Sequence, residues 1–253
     1  MAAPPPAPAA AAAARAGGLV LWLHGSAETG EQSRAQIAPY FSAAPAVRLT
    51  FPTAPIACVV ARSICGVAAA GDVVLNAWFG IPEVPITATT VRDEQGVLEA
   101  VEHVHEMLDK EVAAGTSPTN IFVCGLSQGG ALAIASVLLY HKTLGGCAVF
   151  SGSVPLSKSF ADRVTPEARK TPVLWFHGMA DGVVLFEAGH AGCAFLQELG
   201  MACEFKTYPT LGHLLVDEEL QYFRRWIFDR LGISQGTKDA RPSSSSSNHE
   251  DLH

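Results

Sequence analysis

Ile121-Phe122-Val123-Cys124-Gly125-Leu126-Ser127-Gln128-Gly129, followed by the apolar run Ala131 to Tyr140, is the stretch that decides how this chain folds. A short apolar run, a Gly-x-Ser-x-Gly turn and a longer apolar run predict a buried strand, a sharp turn and a buried helix. A serine at the tip of such a turn projects its Oγ clear of the backbone, and the flanking glycines relieve the crowding around it. The helix that starts there offers free N–H groups and the positive end of its dipole to negative charge forming beside Ser127. Ser127 is therefore a candidate nucleophile. The alternative is a glycine-rich helix start that only shapes a turn.

The same alternation extends outward in both directions. Strand-like runs at 19–23, 47–51, 120–124, 146–150, 172–176 and 203–208 are interleaved with helix-like runs at 31–43, 92–113, 128–140, 186–199 and 216–231. The second helix carries an apolar stripe of Val97, Val101, Val104, Leu108 and Val112, and the last one Leu220, Phe223, Trp226, Ile227 and Leu231. Continuous apolar strands between amphipathic helices predict an α/β fold with a mostly parallel central sheet and helices on both faces.

A nucleophilic serine needs a base, and the base needs an orienting carboxylate. On a strand–turn–helix nucleophile the chain order is serine, acid, histidine. His213, in Thr210-Leu211-Gly212-His213, follows the strand-like Cys203 to Tyr208, and Gly212 allows a tight loop that aims an imidazole at the sheet edge. His141 and His190 are assigned to helices and His249 and His253 to a polar tail, so they compete poorly. The acid candidate is Asp181, on the loop after the apolar run Pro172 to Phe176. Its rivals are Asp162, in a charged surface-like stretch, and Asp217, placed to favour the dipole of the last helix. His177 reads as a structural residue fixing the loop that carries Asp181.

The oxyanion of an acyl-transfer intermediate needs preset N–H donors. One should be the backbone N–H of Gln128, next after the nucleophile. The other should come from the loop after the first strand, His24-Gly25-Ser26, where Gly25 permits close approach of substrate and Ser26 N–H is the chosen donor. His24 either pins that loop by hydrogen bonds, the preferred role, or stands behind the acyl site.

Together these motifs resemble the acyl-protein thioesterase family of small α/β-hydrolases, also called the phospholipase/carboxylesterase family. The matching stretches are Leu23-His24-Gly25 with Glu28-Thr29-Gly30, Phe51 to Pro55, Ala77-Trp78-Phe79, Gly125 to Gly130, Ser151-Gly152, His177-Gly178 with Asp181, and Gly212-His213. They run in the family's order through residues 18–231. Ser136 to Gly146 and Val184 to Gly189 look most like plant members, some of them described as carboxylesterases or deacylases preferring short acyl groups. The resemblance implies Ser127, Asp181 and His213 as the triad, Ser26 and Gln128 as oxyanion donors, and an acyl pocket near Gly25, Trp78 and Phe79. Trp78 and Phe79 can equally be core packing. Three departures stand out. Ser26 replaces a leucine, Trp78-Phe79-Gly80 replaces Trp-Phe-Asp, and residues 56–76, where the family has its lid, match poorly and are rich in small apolar residues.

Composition agrees. The chain has 253 residues, 49% of them hydrophobic, and a net charge of −7, which excludes a basic footprint for nucleic acid or anionic membranes. The six cysteines, at 58, 65, 124, 147, 193 and 203, form no C-x-x-C pair and read as reduced core residues. No spacing suggests a metal site or cofactor, and no apolar run is long enough for a transmembrane segment. The Ala/Pro-rich residues 1–17 and the polar 233–253 are expected to be disordered, leaving one domain at 18–232 with a lid-like insertion at 56–76. Residues 1–18 lack the pattern of a secretory signal, so a cytoplasmic protein is expected, with the nucleus left open. The expected substrates are acylated proteins or small acyl esters. The competing class is a non-catalytic, receptor-like binding protein on the same fold.

Overall fold

The computed structural model describes residues 17–59, 73–81, 83–91 and 93–234. The elements in chain order are β1 (Gly18–Leu23), α1 (Gly30–Phe41), β2 (Val47–Thr50), β3 (Ile56–Val59), β4 (Val73–Asn76), α2 (Glu94–Ala113), β5 (Ile121–Leu126), α3 (Gln128–Leu139), β6 (Gly146–Phe150), β7 (Val173–Gly178), α4 (Phe186–Glu198), β8 (Cys203–Tyr208) and α5 (Asp217–Leu231). Six of the strands form one sheet in the order β2-β1-β5-β6-β7-β8, and every pairing in it is parallel. All six expected strands and all five expected helices are present, with ends within a few residues of their predicted places.

The strands read as unbroken apolar runs because both faces are covered, and the period-two alternation sorts their side chains between two cores. Leu19, Leu21, Leu23, Ile121, Val123, Val149, Val173 and Trp175 point to the face packed by α2, α3 and α4. Val20, Trp22, Phe122, Cys124, Phe150, Leu174 and Phe176 point to the other, against Ile37 and Phe41 of α1 and Leu220, Phe223, Trp226 and Ile227 of α5. The valine stripe of α2 and the aromatic stripe of α5 thus meet opposite faces of the sheet.

From β1 the chain winds outward to β2, and from β5 it winds the other way through β6, β7 and β8. The order reverses between β1 and β5, and a crevice opens beyond their C-terminal ends at such a reversal. The loop after β1 begins at His24 and the turn after β5 holds Ser127, so topology alone brings these two motifs together.

The predicted lid region is different. Its flanks are β3 and β4, an antiparallel pair running from Ile56 opposite Asn76 to Val59 opposite Val73. Its centre, 60–72, lies outside the described residues, as do 1–16 and 235–253, where disordered ends were expected. Ile233 still packs against the α1/α5 core, one residue past the expected domain limit.

Candidate active site

Ser127 sits at φ 54°, ψ −119°, a left-handed conformation that costs a non-glycine residue on the order of 1–3 kcal/mol. Two hydrogen bonds hold it there: its N–H donates to Phe150 O of β6 at 2.8 Å, and its carbonyl accepts from Ala131 N–H at 3.0 Å. The motif glycines serve close approach. A Cβ on Gly129 would stand 2.1 Å from Leu23 O, and one on Gly125 would stand 2.5 Å from the Gly129 backbone. Only a side-chain-free α3 start lets the helix sit on β1, which places Ser127 beside the loop after β1.

Asp181 and His213 arrive from the loops after β7 and β8. His213 Nδ1–H donates to Asp181 Oδ2 at 2.8 Å, which leaves the proton-accepting lone pair of the neutral ring on Nε2. The other carboxylate oxygen, Oδ1, accepts from Val183 N–H at 2.9 Å and Val184 N–H at 3.0 Å. Burial opposes charge on Asp181, but the His213 bond and these two N–H groups outweigh it and hold its carboxyl below the ordinary range. His177 is fully buried, its Nε2–H donates to Val184 O at 2.9 Å, and burial lowers its pKa, so a neutral ring pins the 181–184 turn. Its expected structural role fits this geometry.

In the loop after β1, His24 Nδ1–H donates to Gly25 O at 2.6 Å and Nε2 accepts from Ala54 N–H at 2.9 Å. Burial lowers the His24 pKa, and protonation would set a second N–H against the Ala54 donor. His24 therefore pins the loop. Gly25 N–H donates to Glu28 Oε2 at 3.0 Å, Ala27 N–H to Asn76 O at 2.9 Å, and Glu28 N–H to Gly25 O at 3.3 Å. Among the described residues Ser26 N–H has no acceptor, and neither does Gln128 N–H at the head of α3. A Cβ on Gly25 would lie 3.5 Å from Ser127 Cβ.

Ser127, His213, Gly25, Ser26 and Gln128 all line one cavity of about 360 Å³. Its remaining wall is mainly apolar and includes Phe79, Ile81, Val84, Ile86, Val97 and Val154. Ser127 Oγ and the His213 ring share this cavity, but among the described residues no hydrogen bond joins them. No described group of His, Cys, Asp or Glu side chains has the makings of a metal site.

Residues 8–229 match the model of the Phospholipase/Carboxylesterase family. The chain belongs to this family. A probable carboxylesterase of rice (Oryza sativa subsp. japonica) is 72% identical over 228 residues, covering 89% of this chain and 93% of that protein. A second rice protein, 51% identical over 210 residues and covering 82% of each chain, is named a probable inactive carboxylesterase. The crystal structure of Arabidopsis thaliana SOBER1 superposes with a TM-score of 0.78 at 47% identity, covering 85% of this chain and 100% of that one.

In this member of the phospholipase/carboxylesterase family, Trp78 does not line the cavity. It is 9% exposed, packs in the core and donates its indole N–H to His24 O at 2.9 Å, so core packing is the reading that holds for it. Phe79 does line the cavity. Gly80, where the family pattern has aspartate, donates its N–H to Asp93 Oδ2 at 2.8 Å, while Asp93 Oδ1 caps α2 through Gly96 N–H at 3.1 Å. A Cβ on Gly80 would stand 2.7 Å from Asp93 Oδ2, so a carboxylate at 80 would meet both a clash and a like charge. Asp93 thus ties the Gly80 backbone to the start of α2. The Gln128 side chain was not foreseen: its Oε1 accepts from Trp78 N–H at 2.9 Å and its Nε2 donates to Phe79 O at 2.7 Å, stitching the Trp78–Phe79 segment to α3. The described cysteines 124, 147, 193 and 203 are free thiols, and burial pushes the thiols of Cys124 and Cys147 up. No helix of the described residues is long and apolar enough to cross a membrane.

Proposed function

We propose that this protein is a serine esterase that hydrolyses carboxylic esters or thioesters through Ser127, His213 and Asp181. The observation that carries the reading is the 2.8 Å Asp181–His213 bond, which leaves Nε2 as the base in a cavity shared with Ser127. Ser127 Oγ attacks the acyl carbon while His213 Nε2 takes its proton, and the carbonyl oxygen becomes an oxyanion held by Ser26 and Gln128 N–H. Collapse expels the alcohol or thiol, which leaves with the proton from His213. Water then attacks the acyl-enzyme with His213 again as base, and the acid is released with Ser127 restored. The serine–histidine hydrogen bond forms with substrate in place, as such contacts commonly do.

The substrates are acylated proteins or small acyl esters. The cavity volume is at the low end of the roughly 300–1,000 Å³ of small-molecule sites, which favours short or medium acyl groups. The test is hydrolysis of p-nitrophenyl esters from C2 to C16, with fluorophosphonate labelling. Multiple turnovers with a maximum below C12 are expected, and Ser127→Ala should lower the rate on the order of 10³-fold or more. Near-normal turnover in folded Ser127→Ala removes Ser127 as nucleophile, and a maximum at C12 or longer overturns the acyl-size assignment. A wild-type protein that holds ligand without turning it over would be the binding protein of the competing class.

A further inference from the structure

Among the described residues, every N–H of the turn at 25–28 has an acceptor except that of Ser26, and both residues that follow it are held by Asn76. The Asn76 carbonyl accepts from Ala27 N–H at 2.9 Å, and its side-chain Nδ2 donates to Glu28 O at 3.1 Å. Ala27 sits at φ 66°, a left-handed conformation that alanine does not adopt without outside support. Asn76 is itself firmly placed: it is the last residue of β4, opposite Ile56 of β3, and the next N–H, of Ala77, donates to Pro55 O at 3.3 Å. Any residue could supply the backbone carbonyl at this position. Only a side chain with an N–H at that reach also binds the Glu28 carbonyl.

We infer that Asn76 is a positioning residue for the reaction, fixing Ser26 N–H as one of the two oxyanion donors by clamping Ala27 and Glu28 behind it. The inference rests on the Ser127 esterase reading. Without the Nδ2 bond, the Glu28 carbonyl is freed from Asn76, and Glu28 is the residue whose carboxylate holds Gly25 N–H. Ala27 then has only its N–H bond to the backbone carbonyl of residue 76 to hold its unfavourable φ, and the peptide bearing Ser26 N–H loses its fixed direction. The loss is felt when negative charge forms on the substrate oxygen, not when the neutral ester binds.

Asn76→Asp and Asn76→Ala test this. The first is nearly isosteric and sets an oxygen against the Glu28 carbonyl, and the second removes the donor. Each is assayed for thermal unfolding, for kcat and KM with p-nitrophenyl butyrate, and for inhibition by an alkyl trifluoromethyl ketone, which forms an anionic serine adduct. The matching alkyl alcohol, which only fills the cavity, is the control ligand. A fall in kcat of about 10- to 100-fold is expected, with KM within about two-fold. The ketone should weaken by the same factor and the alcohol should bind unchanged. A merely structural role would shift both ligands together, and that result overturns the inference, as does kcat within about two-fold of wild type in a folded variant. Failure of both variants to fold assigns Asn76 to stability and overturns it too. An inactive wild-type protein removes this inference and the esterase reading together, whereas an active wild type with unaffected variants removes this one alone.

Discussion

Asp181→Asn should nearly abolish turnover while leaving the fold intact, and the geometry of the 181–184 turn says why. Asp181 Oδ1 accepts two backbone N–H groups, from Val183 at 2.9 Å and Val184 at 3.0 Å. An asparagine that keeps its oxygen there must put its NH₂ where Oδ2 stood, 2.8 Å from His213 Nδ1. The nearby His177 Nε2, 3.6 Å from Oδ2, is also a donor and cannot accept from it while bound to Val184 O. Reversing the amide would set NH₂ against both backbone donors and orphan them, at about 1–3 kcal/mol each. The cheaper response is for His213 to move its proton to Nε2, and a ring with Nε2–H cannot accept the Ser127 proton. A wrong tautomer of this kind costs on the order of 10⁴ in kcat, or about 5–6 kcal/mol of barrier. The assay is steady-state hydrolysis of p-nitrophenyl butyrate, with the fluorophosphonate labelling rate of Ser127 as a second reading that avoids deacylation. Both should fall by a similar factor, with unfolding still cooperative. A folded variant within tenfold of wild type would mean that the Asp181–His213 bond does not serve the chemistry.

Gly129→Ala should destabilise by on the order of 3 kcal/mol, because its Cβ would meet the carbonyl oxygens of Leu23 and His24 at 2.1 and 2.5 Å, backbone that cannot step aside cheaply. An unchanged urea midpoint would contradict this account of the motif glycine. Glu219→Gln probes pH dependence. Glu219 is 1% exposed, and burial, with Glu218 nearby, pushes its carboxyl up to about 7 against the hydrogen bond from Val216 N–H. A raised carboxyl pKa stabilises the fold fully only below the ordinary carboxylate range, and that contribution is lost as pH rises through about 7. The melting temperature of wild type relative to Glu219→Gln should therefore fall between pH 5 and 8, by an amount corresponding to at most roughly 3 kcal/mol. A difference independent of pH would show that Glu219 does not titrate there. Asp181 has the opposite sign: its depressed pKa gives stability that is lost as pH falls.

What the sequence made legible was whatever has a short period or a fixed order. The strand–turn–helix around Ser127 and the α2 and α5 stripes are local patterns, and their elements fall where the pattern puts them. The serine–acid–histidine order singled out Asp181 over Asp162 and Asp217, and the structure brings that carboxylate to His213. The β3–β4 pair was missed because its partners are apolar runs separated by a stretch that itself reads as apolar insertion, so nothing local says that Ile56 faces Asn76. Asn76 and the Gln128 side chain were invisible for a related reason. Their partners, Glu28 O and Trp78 N–H, lie 48 and 50 residues away in the chain. Trp78, which the sequence alone leaves between pocket and core, donates its indole N–H to His24 O, 54 residues away in the chain.

The three non-glycine residues with positive φ among those described, Ala27, Ser127 and Ser151, follow β1, β5 and β6, all at the edge where the cavity opens. Each conformation costs on the order of 1–3 kcal/mol in a fold whose net stability is of the order of 5–15 kcal/mol. Ala27 and Ser127 line the cavity, and Ser151 is buried just past the end of β6. Each is held by a long-range bond: Ala27 by Asn76, Ser127 by Phe150 O, and Ser151, through its own N–H, by Phe176 O at 2.9 Å. At Ala27 and Ser127, strain maintained in this way goes with the placement of groups around the cavity. The apolar layers below can therefore be kept while the loops at the edge above them change.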